Sequence, residues 1–140
     1  MNNEAGWNRS HFYGEFNTSK RSLALDLKHE RAQEVTSRLL AWADVVLESF
    51  TPGAVDRLGI GYAALGEVNP KLIYASATGY GKEGDESGEP SFDHLGLARS
   101  GIMQAAGEPG MPPLAIAGGV ADQMGGIMLA YGVLAALLAR

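Results

Sequence analysis

The sequence predicts an α/β domain with a parallel, Rossmann-like sheet and flanking helices. Three observations carry this. Short apolar runs of strand character alternate with stretches of helical spacing, the joints between them are short, and most of the 19 glycines fall in the second half of the chain, where tight turns are needed. With 140 residues the chain can build one compact core and is too short for two ordinary domains.

Residues 1–19 are polar, aperiodic and dotted with aromatics, and read as a loosely held leader; residues 20–140 form the domain. Leu23, Leu25 and Leu27 alternate in Ser22–Leu27, the signature of a strand packed on one face. From His29 to Ala43, apolar residues at Ala32, Val35, Leu39, Leu40 and Ala43 predict a helix that Asp44 ends. Glu34 and Arg38, four apart, are placed for an ion pair along it. Val45-Val46-Leu47 is a continuous apolar run, as expected of a strand buried on both faces. Strand, helix and strand make a βαβ unit with a right-handed crossover.

Thr51-Pro52 reads as an N-cap followed by a first-turn proline, opening a short helix over Ala54–Leu58 that stops at Gly59. A further short helix is expected over Tyr62–Val68, closed by Asn69-Pro70, and a third strand over Leu72–Ala77. Gly79–Pro90 is a charged, glycine-rich exposed loop. Phe92–Met103 has helical spacing, Gly107–Pro113 is turn-rich, and Leu114–Ile116 is a short strand or extended segment. A tight loop at Gly118-Gly119 then feeds a final, buried helix with Asp122 at its start.

Composition narrows the chemistry. The formal net charge of −5 argues against general nucleic-acid affinity. The absence of cysteine excludes disulfides, thiolate catalysis and sulfur-ligated zinc. His11, His29 and His94 have no helix-face spacing for a metal pair. The amino end lacks the apolar core of a signal peptide, and the uncharged run Met124–Ala139 is shorter than the ~20 residues of a membrane span, so a cytoplasmic protein without a membrane partner is expected.

Four places hold candidate chemistry. Gly79–Gly84 spells GxGxxG after a strand, but no helix is expected at Gly84 to receive a diphosphate, so a plain loop outweighs a dinucleotide site. Ser49–Leu58 lies past the carboxyl end of a strand, where open α/β sheets bind ligands; Phe50 offers a ring, Arg57 a cation and Lys28 a second cation, against the bland reading of a core ring and a solvated arginine. Asp122 is either an N-cap or a reactive carboxylate; Gly118, Gly119, Gly125 and Gly126 around it would let a bulky substrate approach, at a helix-propensity cost of about 1 kcal/mol for each internal glycine. Asp93 and His94 are adjacent, which points them apart, so a cap and a partly buried polar residue are expected there instead of a catalytic couple.

Several of these segments together resemble one family. Asn17-Thr18-Ser19-Lys20-Arg21-Ser22 running to Leu25-Asp26-Leu27-Lys28 is followed by Ala43-Asp44-Val45-Val46-Leu47-Glu48-Ser49-Phe50-Thr51-Pro52-Gly53. Asn69-Pro70-Lys71-Leu72-Ile73-Tyr74, Thr78-Gly79-Tyr80-Gly81, Phe92-Asp93, Ser100-Gly101, Gly107-Glu108-Pro109 and Ala121-Asp122 come next in the same order. This string resembles the class III coenzyme A transferases.

The resemblance implies a partial large α/β domain, CoA thioesters and carboxylic acids as substrates without a tightly bound cofactor, and a homodimer or higher oligomer. It implies a nucleophilic Asp122, a CoA nucleotide pocket at Leu25, Lys28, Ser49, Phe50, Ala54, Arg57 and Leu58, and a thioester path along Thr78, Gly79 and Tyr80. Neighbouring backbone N–H groups would hold the oxyanion. Ser49 replaces the family's usual asparagine, and Phe92 stands where racemase relatives carry a histidine base, which disfavours racemase chemistry. A catalytically silent CoA-binding or oligomerisation module and a dinucleotide-binding domain stay open beside transferase activity.

Overall fold

A computed structural model describes residues 10–140 of the chain. The element order is α1 (His11–Phe16), α2 (Ala32–Leu40), β1 (Val45–Glu48), α3 (Ala54–Arg57), α4 (Tyr62–Val68), β2 (Ile73–Ser76), α5 (Asp93–Arg99), α6 (Ile102–Ala105) and α7 (Val120–Ala139). β1 and β2 pair in parallel, with Val45 opposite Ile73 and Glu48 opposite Ser76. The crossover between them consists of α3 and α4.

The two sheet faces are covered differently. Val46 and Tyr74 share one face and pack with Ala43 against Leu40, Leu65 and Leu72, so α2 and α4 close that side. Leu47 and Ala75 point to the other side, toward α7. Leu97 of α5, 1% exposed, is the most buried large side chain, and α5 packs along α7. That packing is close: a Cβ placed on Gly96 would lie 3.3 Å from Ala121 Cβ.

The expected strand over Ser22–Leu27 does not form. An isolated extended segment leaves its backbone groups without ladder partners, and among the described residues no strand lies beside it. Asp26 ends it in a turn, its carboxylate accepting from Lys28 N–H at 2.9 Å. The predicted first βαβ unit is therefore absent among the described residues, where the sheet has two strands. The described part of the leader holds the short exposed helix α1; residues 1–9 lie outside the described range.

Smaller corrections have local causes. α2 ends at Leu40, because Asn69 Nδ2 donates to Leu40 O at 3.0 Å and Ala43 O at 2.9 Å, satisfying carbonyls a longer helix would have used. Asp44 is left to pair with Arg140 at 2.8 Å. Glu34 pairs with Arg31, not Arg38. Gly53, at φ 76°, caps α3, and Thr51 serves through its carbonyl, which accepts from Ala54 N–H at 3.0 Å. Gly101, at φ 78°, splits the expected Phe92–Met103 helix into α5 and α6. Leu114–Ile116 forms no regular element and does not join the sheet.

The largest correction concerns α7. Gly119, with φ 88°, is its N-cap, so Asp122 lies within the first turn instead of before it. The capping carboxylate comes from elsewhere. Asp93, 6% exposed at the start of α5, accepts from Gly119 N–H (2.8 Å), Ala121 N–H (2.7 Å) and Asp122 N–H (3.3 Å). An ionised side chain thus satisfies amides that a helix start leaves open. These bonds, Gly119's foremost, with help from nearby His94, hold the Asp93 carboxyl below its ordinary range.

Nor is α7 a buried helix. None of its residues is buried, and Ile127, Met128, Tyr131, Leu134 and Leu138 are exposed, Leu138 by 90%. Its 20 residues meet the length and apolarity needed to cross a membrane, where the uncharged run counted from Met124 fell short. Both ends are nonetheless fastened to the domain: Asp93 at the start, and at the finish Arg140, which bonds Asp44 and the Lys71 carbonyl (3.1 Å).

Two outcomes follow. Asn69→Ala strands the carbonyls of Leu40, at the end of α2, and of Ala43 beyond it, and lowers the unfolding free energy by about 1–3 kcal/mol in urea titration. Asp93→Asn lowers the melting temperature at neutral pH. Because the folded pKa of Asp93 is depressed, its stabilisation is full above the ordinary value of about 3.9 and is lost as pH falls through the folded value. The gap between variant and parent melts therefore closes below about pH 4.

Candidate active site

The carboxyl ends of β1 and β2 open onto a cleft of about 670 Å³. The turn after β1 gives it Ser49, Phe50, Thr51 and Pro52; the turn after β2 gives Ala77, Thr78 and Gly79; the first half of α7 gives Ala121, Asp122, Gly125, Gly126 and Leu129. This is the edge at which open α/β sheets take ligands. The remaining wall is the end of the 79–90 loop together with Ser91 and Phe92. Gly79 is required by that return: a Cβ there would collide with the Ser91 side chain.

Asp122 is exposed on this cleft, and its carboxylate makes no hydrogen bond or ion pair with another described residue. Its freedom is a consequence of Asp93, which has taken the capping role. Gly125 and Gly126 lie one turn further on. A Cβ added at either meets no atom within 4 Å, so packing inside the described chain does not demand glycine there. Both leave open space beside Asp122.

Five of the predicted site residues meet in this cleft: Ser49, Phe50, Thr78, Gly79 and Asp122. A smaller hollow of about 140 Å³ shares Phe50, Thr51, Pro52 and Thr78 with the cleft and is also lined by Asp56. Asp56 also borders a third hollow, of about 280 Å³, lined by Arg57 and Leu58. Ala54 opens α3 and lines none of the three hollows. Leu25, Lys28 and Tyr80 line none of the three hollows. Leu25 and Lys28 sit on the segment before α2, and the Tyr80 ring is covered by the Arg99 guanidinium at 5.2 Å. Arg99 is in turn tied to Glu86.

Sequence reasoning missed Glu48. It closes β1 at 8% exposure and bridges both strand ends, accepting from Phe50 N–H at 2.8 Å and from the Ser76 hydroxyl. Lys82 Nζ lies 3.9 Å away and stacks over the Tyr74 ring. Burial, then the charges of Glu48 and Asp56, push the Tyr74 phenol above its usual range. The signal was present as an acidic residue ending an apolar strand run. Of the backbone amides near Asp122, those of Gly119, Ala121 and Asp122 are already engaged by Asp93. His94 is half exposed, 3.7 Å from Asp93, and does not line the cleft. No helix follows Gly84 before α5, so the GxGxxG letters lack the helix a diphosphate needs.

The chain is similar to known proteins in sequence and in fold. The acetyl-CoA:oxalate CoA-transferase of Acetobacter aceti is 39% identical over 133 residues, covering 94% of this chain and 34% of that protein. A probable fatty acyl-CoA transferase of Mycobacterium tuberculosis, Rv3272, is 40% identical over 124 residues, covering 89% and 32%. Its crystal structure superposes with a TM-score of 0.83. A CaiB/BaiF family protein from Brucella suis gives 0.83 at 37% identity, covering 86% of this chain and 32% of that one. The chain thus spans about a third of the length of the relatives it matches. The family model for CoA-transferase family III matches residues 1–140, and the chain belongs to that family.

Proposed function

We propose that the chain carries the nucleophile and part of the CoA site of a CoA-transferase. The observation that bears most weight is an unpaired Asp122 carboxylate on an open cleft at the strands' carboxyl edge, backed by two glycines that packing does not require. In this reading an Asp122 oxygen attacks the thioester carbonyl carbon, the C–S bond breaks, and CoA leaves as thiolate. The thiolate then attacks the aspartyl carbonyl of the mixed anhydride, releasing the first acid as its carboxylate. The acceptor carboxylate attacks the resulting aspartyl–CoA thioester, and the returning thiolate takes the acceptor acyl group and restores Asp122. No net proton is consumed. Orientation on a fixed helix turn supplies much of the advantage a weak nucleophile needs.

The three hollows, neighbours through shared lining residues, support an elongated ligand. The thioester would rest at Asp122 between Thr78, Gly79 and the α7 glycines, the chain would pass Phe50, and the nucleotide end would reach Ala54, Arg57 and Leu58. Ser49 would lend a hydroxyl beside Phe50; Leu25, Lys28 and Tyr80 would contribute only from outside the hollows. The uncovered apolar side of α7 supports association into a dimer or higher oligomer. A second reading, a module that binds CoA without turnover, is favoured by one observation: the amides nearest Asp122 are spent on Asp93.

Incubation with acetyl-CoA followed by mass spectrometry should find a hydroxylamine-sensitive CoA adduct on Asp122, lost in Asp122→Asn. CoA binding by calorimetry without an adduct would move the assignment to the silent module; no CoA binding would remove both. Gly125→Ala and Gly126→Ala should each stabilise the chain by up to about 1 kcal/mol in thermal or urea melts and weaken acyl-CoA binding. A gain in stability with unchanged affinity would show that the glycines serve something other than ligand approach.

A further inference from the structure

The charge on the cleft wall bears on the acyl group. Among the described residues lining it there is no lysine, arginine or histidine. Its ionisable side chains are three carboxylates, Glu89, Asp93 and Asp122. The cations nearby are engaged elsewhere: Lys82 faces Glu48 and Tyr74, Arg99 holds Glu86, and Arg57 borders the third hollow.

The remaining source of positive potential would be the amino end of α7. There the Gly119, Ala121 and Asp122 amides already donate to Asp93, and Asp122 adds a second negative charge to the same turn. Three amides at this helix end are therefore engaged within the fold by a carboxylate. The rest of the wall is apolar, with Leu47, Phe50, Pro52, Pro90, Phe92 and Leu129 around the opening.

A second carboxylate on the acyl group would enter this cleft with no cation on the described wall and against like charge, which disfavours its binding. A neutral hydrocarbon acyl group meets rings and aliphatic side chains instead. We propose that the cleft takes CoA thioesters of neutral, apolar monocarboxylic acids and discriminates against those of dicarboxylic acids. This rests on the assignment of Asp122 and its cleft to CoA-thioester chemistry. Glu89 becomes the residue that sets specificity: it is exposed, engaged by no other described side chain, and lies on the wall that returns over the cleft from the 79–90 loop.

Butyryl-CoA and succinyl-CoA form a matched four-carbon pair, a terminal methyl against a terminal carboxylate. Calorimetry on the full chain should show butyryl-CoA binding at least about tenfold more tightly. Glu89→Lys should shift the ratio toward succinyl-CoA by about tenfold or more, and Glu89→Gln by less, with both variants melting like the parent. Equal or tighter binding of succinyl-CoA by the parent overturns the proposal while leaving CoA-ester binding intact. A preference untouched by both Glu89 variants overturns the role of the carboxylate wall. Failure of both esters to bind overturns the proposal together with the functional reading beneath it.

Discussion

One carboxylate, Asp93, holds three backbone amides at the start of the longest helix. The arrangement at the cleft depends on it. Helix amino ends are ordinarily closed by a residue from the same segment. Here the closing group comes from α5, so the capping bonds also dock one helix onto another. The close approach of Gly96 to Ala121 is compatible with that docking, because a side chain at Gly96 would press on α7 where Asp93 grips it. Since Asp93 caps, Asp122 does not have to, and an acidic side chain in a first turn is left facing the cleft.

The sheet contributes by its ends. Two four-residue strands bury little by themselves; their importance is that both carboxyl ends stop at the same level, where Glu48 and Ser76 face each other. Glu48 locks the Phe50 amide to that level, so the turns after β1 and β2 emerge side by side. A buried charge would be costly alone. It is accommodated here by an amide, a hydroxyl and a nearby ammonium group.

Much of this was legible in the residues. β1, β2 and α4 follow from apolar runs and the Asn69-Pro70 stop, and the cleft residues after each strand follow from the rule for α/β sheets. What local pattern could not give were bonds between distant residues. Asp93 and Gly119 are 26 positions apart, and nothing around either names the other. The same holds for Asn69, whose side chain ends a helix lying far before it. Ser22–Leu27 failed for a related reason: alternation specifies a strand only where another lies alongside, and partnership is not written in the segment itself. The apolar length of α7 suggested burial because composition reports what a helix can cover, not what covers it.

The fastening of α7 at Asp44 and Lys71 fixes its far end beside the opposite edge of the sheet. From Asp122 to Arg140 the helix advances about 27 Å at 1.5 Å per residue. A dye, bead or purification handle attached at the Arg140 end of α7 would therefore emerge on the side away from the ligand opening. Immobilised in that orientation, the molecule would present its cleft to solution, and a surface-based binding assay would face no obstruction from its own tether.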